Sequence, residues 1–326
     1  MNPWGRRLSL LLAIMLAMPA LCRAADRNEE PSNHEVRGLL YRIRHEDIDM
    51  YLLGSIHIGN EEMYPFGEDI RRGMAAADIF VFECDTTSQE AMAETLAAIS
   101  LPKSTTLSDR VSPECYALLE EVCRQKGYPL GFFNGLQPWA VMTALALEVT
   151  SGAMGAEDAG KAMALGVEQN VMAFAVESQG QIAYLETTRE QLDTISCFSQ
   201  PLQEYLLAEQ LRIILDPSQA KGLDADIDQW PAYWQAGDAQ AFADSYWEGR
   251  RDITDEDELA LADEYHDALI TNRNLLMADR LETMLTDGGV HVYFVTIGLL
   301  HLALPEDSVL THLESRGYKV ERIGQP

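Results

Sequence analysis

The chain of 326 residues carries 24 Lys and Arg against 52 Asp and Glu, a formal charge of −28, and is 47% hydrophobic. A chain of this length buries a large core, and its acidity makes nucleic acid and anionic lipid surfaces poor partners, because both need a basic footprint. No low-complexity tract or Pro/Gly-rich linker divides it, so one compact unit with an elaborated middle is expected.

At the N-terminus, Arg6 and Arg7 precede an apolar run, Leu8 to Met18. Pro19 breaks the run, and Cys22-Arg23-Ala24 follows. The run is too short to remain as a bilayer span and matches a signal peptide, residues 1–24, cleaved after Ala24. A periplasmic or secreted protein without stable membrane insertion is the expectation. The rival reading, a lipoprotein anchored through Cys22, puts Leu21 where a small residue is wanted. Residues 25–36 read as a flexible segment, and 37–326 as a single domain.

Within that domain, Arg37 to Arg44 alternates as a strand. Asp49 to Ser55 reads as its antiparallel partner, turning at His45-Glu46-Asp47. Phe66 to Ala76 has helical periodicity, and Asp78 to Phe82 is a short buried strand. The middle is mainly helical. Ser112-Pro113 and Gln137-Pro138 start helices with proline in the first turn. Leu165 to Phe174 is apolar at helical spacing, and Ile182 to Leu185 reads as a short strand. Further helices fall around 189–216, 238–248 and 255–285, with Trp230 and Trp234 marking a packing corner. Val290 to Ile297 is a strand. Asp307 to Arg316 is a helix that Gly317 ends, and Tyr318 to Ile323 is the last strand. The fold class is α/β: a central mixed sheet built from N- and C-terminal segments, with a large helical insertion over about 88–285. The order of strands does not follow from the sequence.

Four cysteines remain after cleavage: Cys84, Cys115, Cys123 and Cys197. An exported chain meets an oxidising compartment, where disulfides form. Cys115 and Cys123, eight apart on a helix, stand about 12 Å apart and do not bridge; the pairing among the others stays open, with Cys123–Cys197 as a guess.

Two of the seven histidines share a local setting. Gly54-Ser55-Ile56-His57 and Gly298-Leu299-Leu300-His301 each follow an apolar strand. Open α/β sheets place ligands beyond the C-terminal ends of their strands, and a glycine there lets the backbone turn. Glu83 and Asp85 follow a third apolar strand. If the three strands are neighbours, His57, His301 and Glu83 converge, a donor set suited to a divalent transition metal with open positions for water. Asp85 would then ligate or orient a histidine. A histidine after a strand is also often a packing or capping residue. His34, His45, His266, His291 and His312 fall in polar, surface-like contexts. No His-Glu-x-x-His, Gly-x-Ser-x-Gly or phosphate-cradling loop is present.

Five segments in order resemble the TraB/GumN family, relatives of the Tiki metalloproteases. They are Tyr51 to His57, Asp78 to Asp85, Ala183 to Leu192, Asn272-Arg273-Asn274 with Met277, and Gly298 to Leu302 followed by Leu313 to Val320. The resemblance spans about 37–324. It implies an α/β architecture and metal-dependent peptide-bond hydrolysis, with manganese or cobalt, or alternatively zinc, and a peptide or secreted protein as substrate. Carried onto this sequence, His57, His301 and Glu83 are metal ligands, with Glu83 alternatively the general base. Glu186 is a second carboxylate or a buried partner of Arg273. Arg273 and Asn274 stabilise an oxyanion or clamp a helix to the sheet. Glu168, after Gly166, stands where relatives often carry aspartate. The competing functional readings are a non-catalytic binding protein and a signal- or pheromone-sequestering regulator.

Overall fold

The computed structural model describes residues 36–57, 59–145, 156–220, 229–251 and 253–324. The signal segment, Cys22 and His34 lie outside the described residues. Among those described, no helix is long and apolar enough to cross a membrane.

Six strands form one mixed sheet: β1 (Leu40–His45), β2 (Ile48–Ser55), β3 (Ile79–Phe82), β4 (Gln181–Tyr184), β5 (Val292–Gly298) and β6 (Val320–Ile323). Their order is β4-β3-β5-β2-β1-β6. The hairpin β1–β2 is antiparallel, with Leu40 opposite Leu53, and β6 pairs antiparallel with β1. β2 and the three remaining strands run parallel: β5 lies between β2 and β3, and β4 lies outside β3. Parallel strands need crossovers, and helices supply them. The sheet is therefore built from both chain ends, as its sequence pattern implies, with one strand, β4, contributed from within the helical insertion.

Because successive strand residues face opposite sides, the apolar runs feed two cores. Tyr51, Leu53, Phe80, Phe82 and Phe294 face one side. Met50, Leu52, Ile79, Val81, Val295 and Ile297 face the other, where they meet Met277, Leu281 and Leu285 of helix Asn272–Leu285 and Val309 and Leu313 of helix Val309–Ser315. The insertion covers the first side. Helix Val167–Glu177 lies there, with Phe174 packed on Phe80 at 5.9 Å between ring centroids. Both faces of β3 and β5 are covered, which is why these strands read as almost unbroken apolar runs.

The expected tryptophan corner is present. Trp230 packs on Phe242, and fully buried Trp234 donates its indole N–H to the Gly54 carbonyl at 2.6 Å. This bond anchors the insertion to the end of β2. Gly54 itself admits the next motif: a side chain there would meet Leu299 Cδ1 at 2.5 Å.

Three expectations are corrected. The helix expected over 189–216 is two, Thr188–Ser196 and Gln200–Leu215. Ser199 caps the second by accepting from Leu202 N, and Pro201 lies in its first turn. The helix expected over 255–285 contains a π turn, Asp267–Thr271. The Cys123–Cys197 pair is not formed. All four described cysteines are free, Cys123 buried in helix Pro113–Lys126 and Cys197 exposed at the end of helix Thr188–Ser196.

Trp234→Phe keeps a six-membered aromatic ring but removes the indole donor from a buried carbonyl, together with the five-membered ring that carries it. The expected loss of stability is about 1–3 kcal/mol, read as a lower urea midpoint at unchanged slope. An unchanged midpoint would show that this bond does not anchor the insertion.

Candidate active site

The C-terminal ends of β4, β3, β5 and β2 lie along one edge of the sheet, and a candidate residue follows each. In that spatial order they are Glu186, Glu83, His301 and His57. Such an edge is where open α/β sheets hold ligands. Arg273 and Asn274 arrive from the start of helix Asn272–Leu285. The π turn just before it inserts one residue into the helical repeat, turning both side chains by about 100° relative to an uninterrupted helix. Both are buried.

Arg273 is the hub. Its Nε donates to Glu186 Oε1 at 3.0 Å, and its Nη2 donates to Glu186 Oε2 at 2.6 Å and to Glu83 Oε2 at 2.5 Å. Its Nη1 lies 3.2 Å from His301 Nε2. A guanidinium only donates, so His301 Nε2 accepts. The imidazole proton therefore sits on Nδ1, which donates to Asn274 Oδ1 at 2.7 Å. The Asn274 amide is fixed in turn by donating to the Asp307 carbonyl at 2.8 Å. Four of the five guanidinium hydrogens are thereby committed, and one on Nη1 has no acceptor among the described residues.

Glu83 Oε1 accepts from the Gly298 N–H at 2.6 Å. A side chain at Gly298 would stand 3.1 Å from that oxygen, a tight contact, so the glycine of the second Gly-x-x-His motif gives the carboxylate room to reach the backbone. Gln191 Nε2 approaches Glu83 Oε2 at 3.4 Å, and its oxygen accepts from the Cys84 thiol at 2.6 Å.

These contacts set the charge states. Burial disfavours the Glu83 anion, but Arg273, His301 and the Gly298 N–H outweigh it and hold the group at about 2. Burial, reinforced by the Arg273 charge, lowers His301 to about 3, so it stays neutral. Arg273 stays charged, because its two carboxylates overcome the cost of its own burial.

His57 lies at the rim. It is half-buried, with Nδ1 3.8 Å from Glu168 Oε2 in the first turn of helix Val167–Glu177. Burial lowers the His57 pKa, with Glu83 partly offsetting the effect. Burial raises Glu168 to about 8, and the nearby Glu83 charge adds to the rise. Two carboxylates of one crevice thus differ in form at neutral pH: Glu83 is ionised and Glu168 protonated.

The structure therefore brings Glu83, Glu186, Arg273, Asn274 and His301 into one network, with His57 beside it. The ligand trio is not assembled. Among the described residues, no group of three or more His, Cys, Asp or Glu side chains is placed to hold a metal ion. Glu83 does not stand as a free base, since both its oxygens are engaged. Asp85 does not orient a histidine; it accepts from the Thr87 and Ser88 N–H groups and closes a turn. His45, His266, His291 and His312 are half-buried rather than fully exposed, with neighbours such as Tyr246 for His266 and Asp307 for His312. The sequence pattern does not mark Gln191 and Glu168 as site residues. Gln191 lies within the family-like segment Ala183 to Leu192, and Glu168 stands where relatives often carry aspartate.

The model of the TraB/PrgY/gumN family matches residues 39–322 of this chain. Two relatives, each titled uncharacterized protein YbaP, from Escherichia coli (strain K12) and Shigella flexneri, are 23% identical over 253 residues. The match covers 77% of this chain and 83% of theirs. No solved structure matches.

Arg273→Met leaves Glu83 and Glu186 buried without their cation, at an expected cost of about 3–5 kcal/mol at neutral pH. Stranded carboxylates have folded-state pKa values above their unfolded ones, so this cost falls as the pH drops. Urea unfolding at neutral and acidic pH measures it. Equal destabilisation at both would contradict the network's charge assignment.

Proposed function

Because the chain belongs to the TraB/PrgY/gumN family, whose segments it carries at all four strand ends, we propose that it is an exported hydrolase of peptide bonds. The supporting observation is the division of labour at the crevice. A fixed buried cation keeps one donor free, and beside it lie a neutral histidine and a protonated carboxyl group.

In this reading the substrate carbonyl oxygen takes the uncommitted Nη1 hydrogen of Arg273, which stabilises the oxyanion as water adds. His57 accepts the proton from that water. Glu168 gives its proton to the leaving nitrogen as the C–N bond breaks, and the His57 proton then returns to Glu168. Titratable groups whose surroundings push them to opposite roles, here neutral His57 and protonated Glu168, are a recurrent means of assigning base and acid. His301 and Asn274 are positioning residues, holding Nη1 in place. Export through the segment ending at Ala24 belongs to the same proposal.

The divalent metal expected from the resemblance does not fit this arrangement. The Nε2 lone pair of His301 and the Oε2 of Glu83 both face the guanidinium. Two of the three expected ligands, His301 and Glu83, thus have those donor atoms engaged by Arg273.

The test is hydrolysis of a diverse peptide library by the mature chain, with and without a chelator. Cleavage that survives chelation supports this reading, and cleavage lost on chelation and restored by manganese, cobalt or zinc would overturn its metal-free form. His57→Ala and Glu168→Gln are each expected to lower kcat by about 10²–10⁴-fold. The pH profile should fall above about 8, where Glu168 gives up its proton. It should also fall in acid, where His57 gains one. A rate that continues to rise through the alkaline limb would remove Glu168 as the acid.

A further inference from the structure

The two edges of the sheet differ. β6 ends one side and carries Glu321 and Arg322, with Lys319 paired to Glu321 just outside it. Charges of this kind blunt an edge against strand addition. β4 ends the other side with Gln181-Ile182-Ala183-Tyr184, which holds no charge and no proline. Gln181 N donates to Asp78 O and Leu185 N to Phe82 O. Alternation in a parallel ladder therefore turns Gln181, Ala183 and Leu185 toward β3. The backbone groups of Ile182 and Tyr184 face outward, and among the described residues no strand pairs with them.

A cavity of about 660 Å³ opens where this edge ends. Its floor is Tyr184 to Thr188. One wall is the start of helix Gln89–Ile99, and the other is Arg280, Thr283 and Met284 of helix Asn272–Leu285. The lining holds four acids, Asp85, Glu90, Glu94 and Glu186, against one base, Arg280. That arginine is already committed to the Leu185 carbonyl and to Glu190, and Glu186 is committed to Arg273, which leaves Asp85, Glu90 and Glu94 as the acids facing the cavity. Glu186 is also the carboxylate that grips Arg273, so the cavity and the proposed active site share a wall.

We propose that the free edge of β4 docks an extended, basic peptide by strand addition, with its cationic side chains in the acidic cavity and its backbone running along β4 toward Glu186 and Arg273. Main-chain bonds supply affinity in this mode and side-chain pockets supply selectivity. The proposal rests on the hydrolase reading for its purpose, naming the class of substrate, but the binding it predicts is measurable without turnover.

The probe is an acetylated nonapeptide alternating lysine and valine, beside a glutamate–valine counterpart and a lysine–valine version N-methylated at alternate residues. Hydrogen exchange of the mature chain should show added protection at the Ile182 and Tyr184 amides with the lysine peptide alone. Affinity should drop about tenfold or more on N-methylation and fall with added salt. Ile182→Pro, which removes an outward N–H and no bond to β3, should weaken binding similarly while leaving the circular dichroism spectrum unchanged. If that variant misfolds, the N-methylated probe decides the matter from the ligand side. Binding or cleavage without protection at these two amides, or equal binding of the N-methylated probe, would overturn strand docking while leaving the hydrolase reading intact. Protection by a peptide that is never cut would support docking and count against hydrolysis.

Discussion

A guanidinium withdrawn from water is tolerable only where anions receive it. Arg273 meets that condition through two carboxylates that the chain supplies from distant points, Glu186 after β4 and Glu83 after β3, with neutral His301 after β5 as a third acceptor. Its own helix must present it at the correct angle, and the π turn Asp267–Thr271 provides the phase. The crevice is therefore not a set of residues lying near one another. It is one ionic knot that closes only when the parallel strands are in register and the C-terminal helix is docked. The same knot decides chemical roles, because it fixes the His301 tautomer, keeps Glu83 ionised and leaves the rim groups, His57 and Glu168, to change protonation.

Rigidity and access divide between the two halves of this edge. The β3–β5 side is buried and bonded except for the one Nη1 hydrogen of Arg273, and even the Gly298 N–H is used on Glu83. On the β2 side, His57 and Glu168 retain partial exposure. On the β4 side the sheet ends and a groove begins, with Glu186 as the boundary between them. A substrate entering along the groove would meet the fixed charge from one side and the proton-transfer groups from the other.

Much of this was legible in the sequence, and for identifiable reasons. The strands at both chain ends announced themselves through alternation and buried β-branched or aromatic runs. The glycines of Gly54-x-x-His57 and Gly298-x-x-His301 marked strand ends where the backbone passes close to another group. What stayed hidden was non-local. The position of β4 outside β3 depends on a pairing that no segment of local sequence encodes. The π turn has no signature in periodicity, and the break at Cys197–Ser199 is a cap and a proline inside an otherwise continuous apolar pattern. The expectation that His57, His301 and Glu83 would share an ion followed from donor types at strand ends. It missed that Arg273, more than 180 residues from Glu83 in sequence, occupies the donors of two of the three.

Nitrogen-15 NMR of the histidine side chains tests the central claim, that Arg273 rather than a metal organises the crevice. His301 should report a protonated Nδ1 and a hydrogen-bonded, unprotonated Nε2. It should remain neutral through mildly acidic pH, since its pKa is held at about 3, and should not move when zinc is added. A stoichiometric zinc-dependent shift of the His301 Nε2 resonance would show that an ion displaces the guanidinium, and would contradict the account.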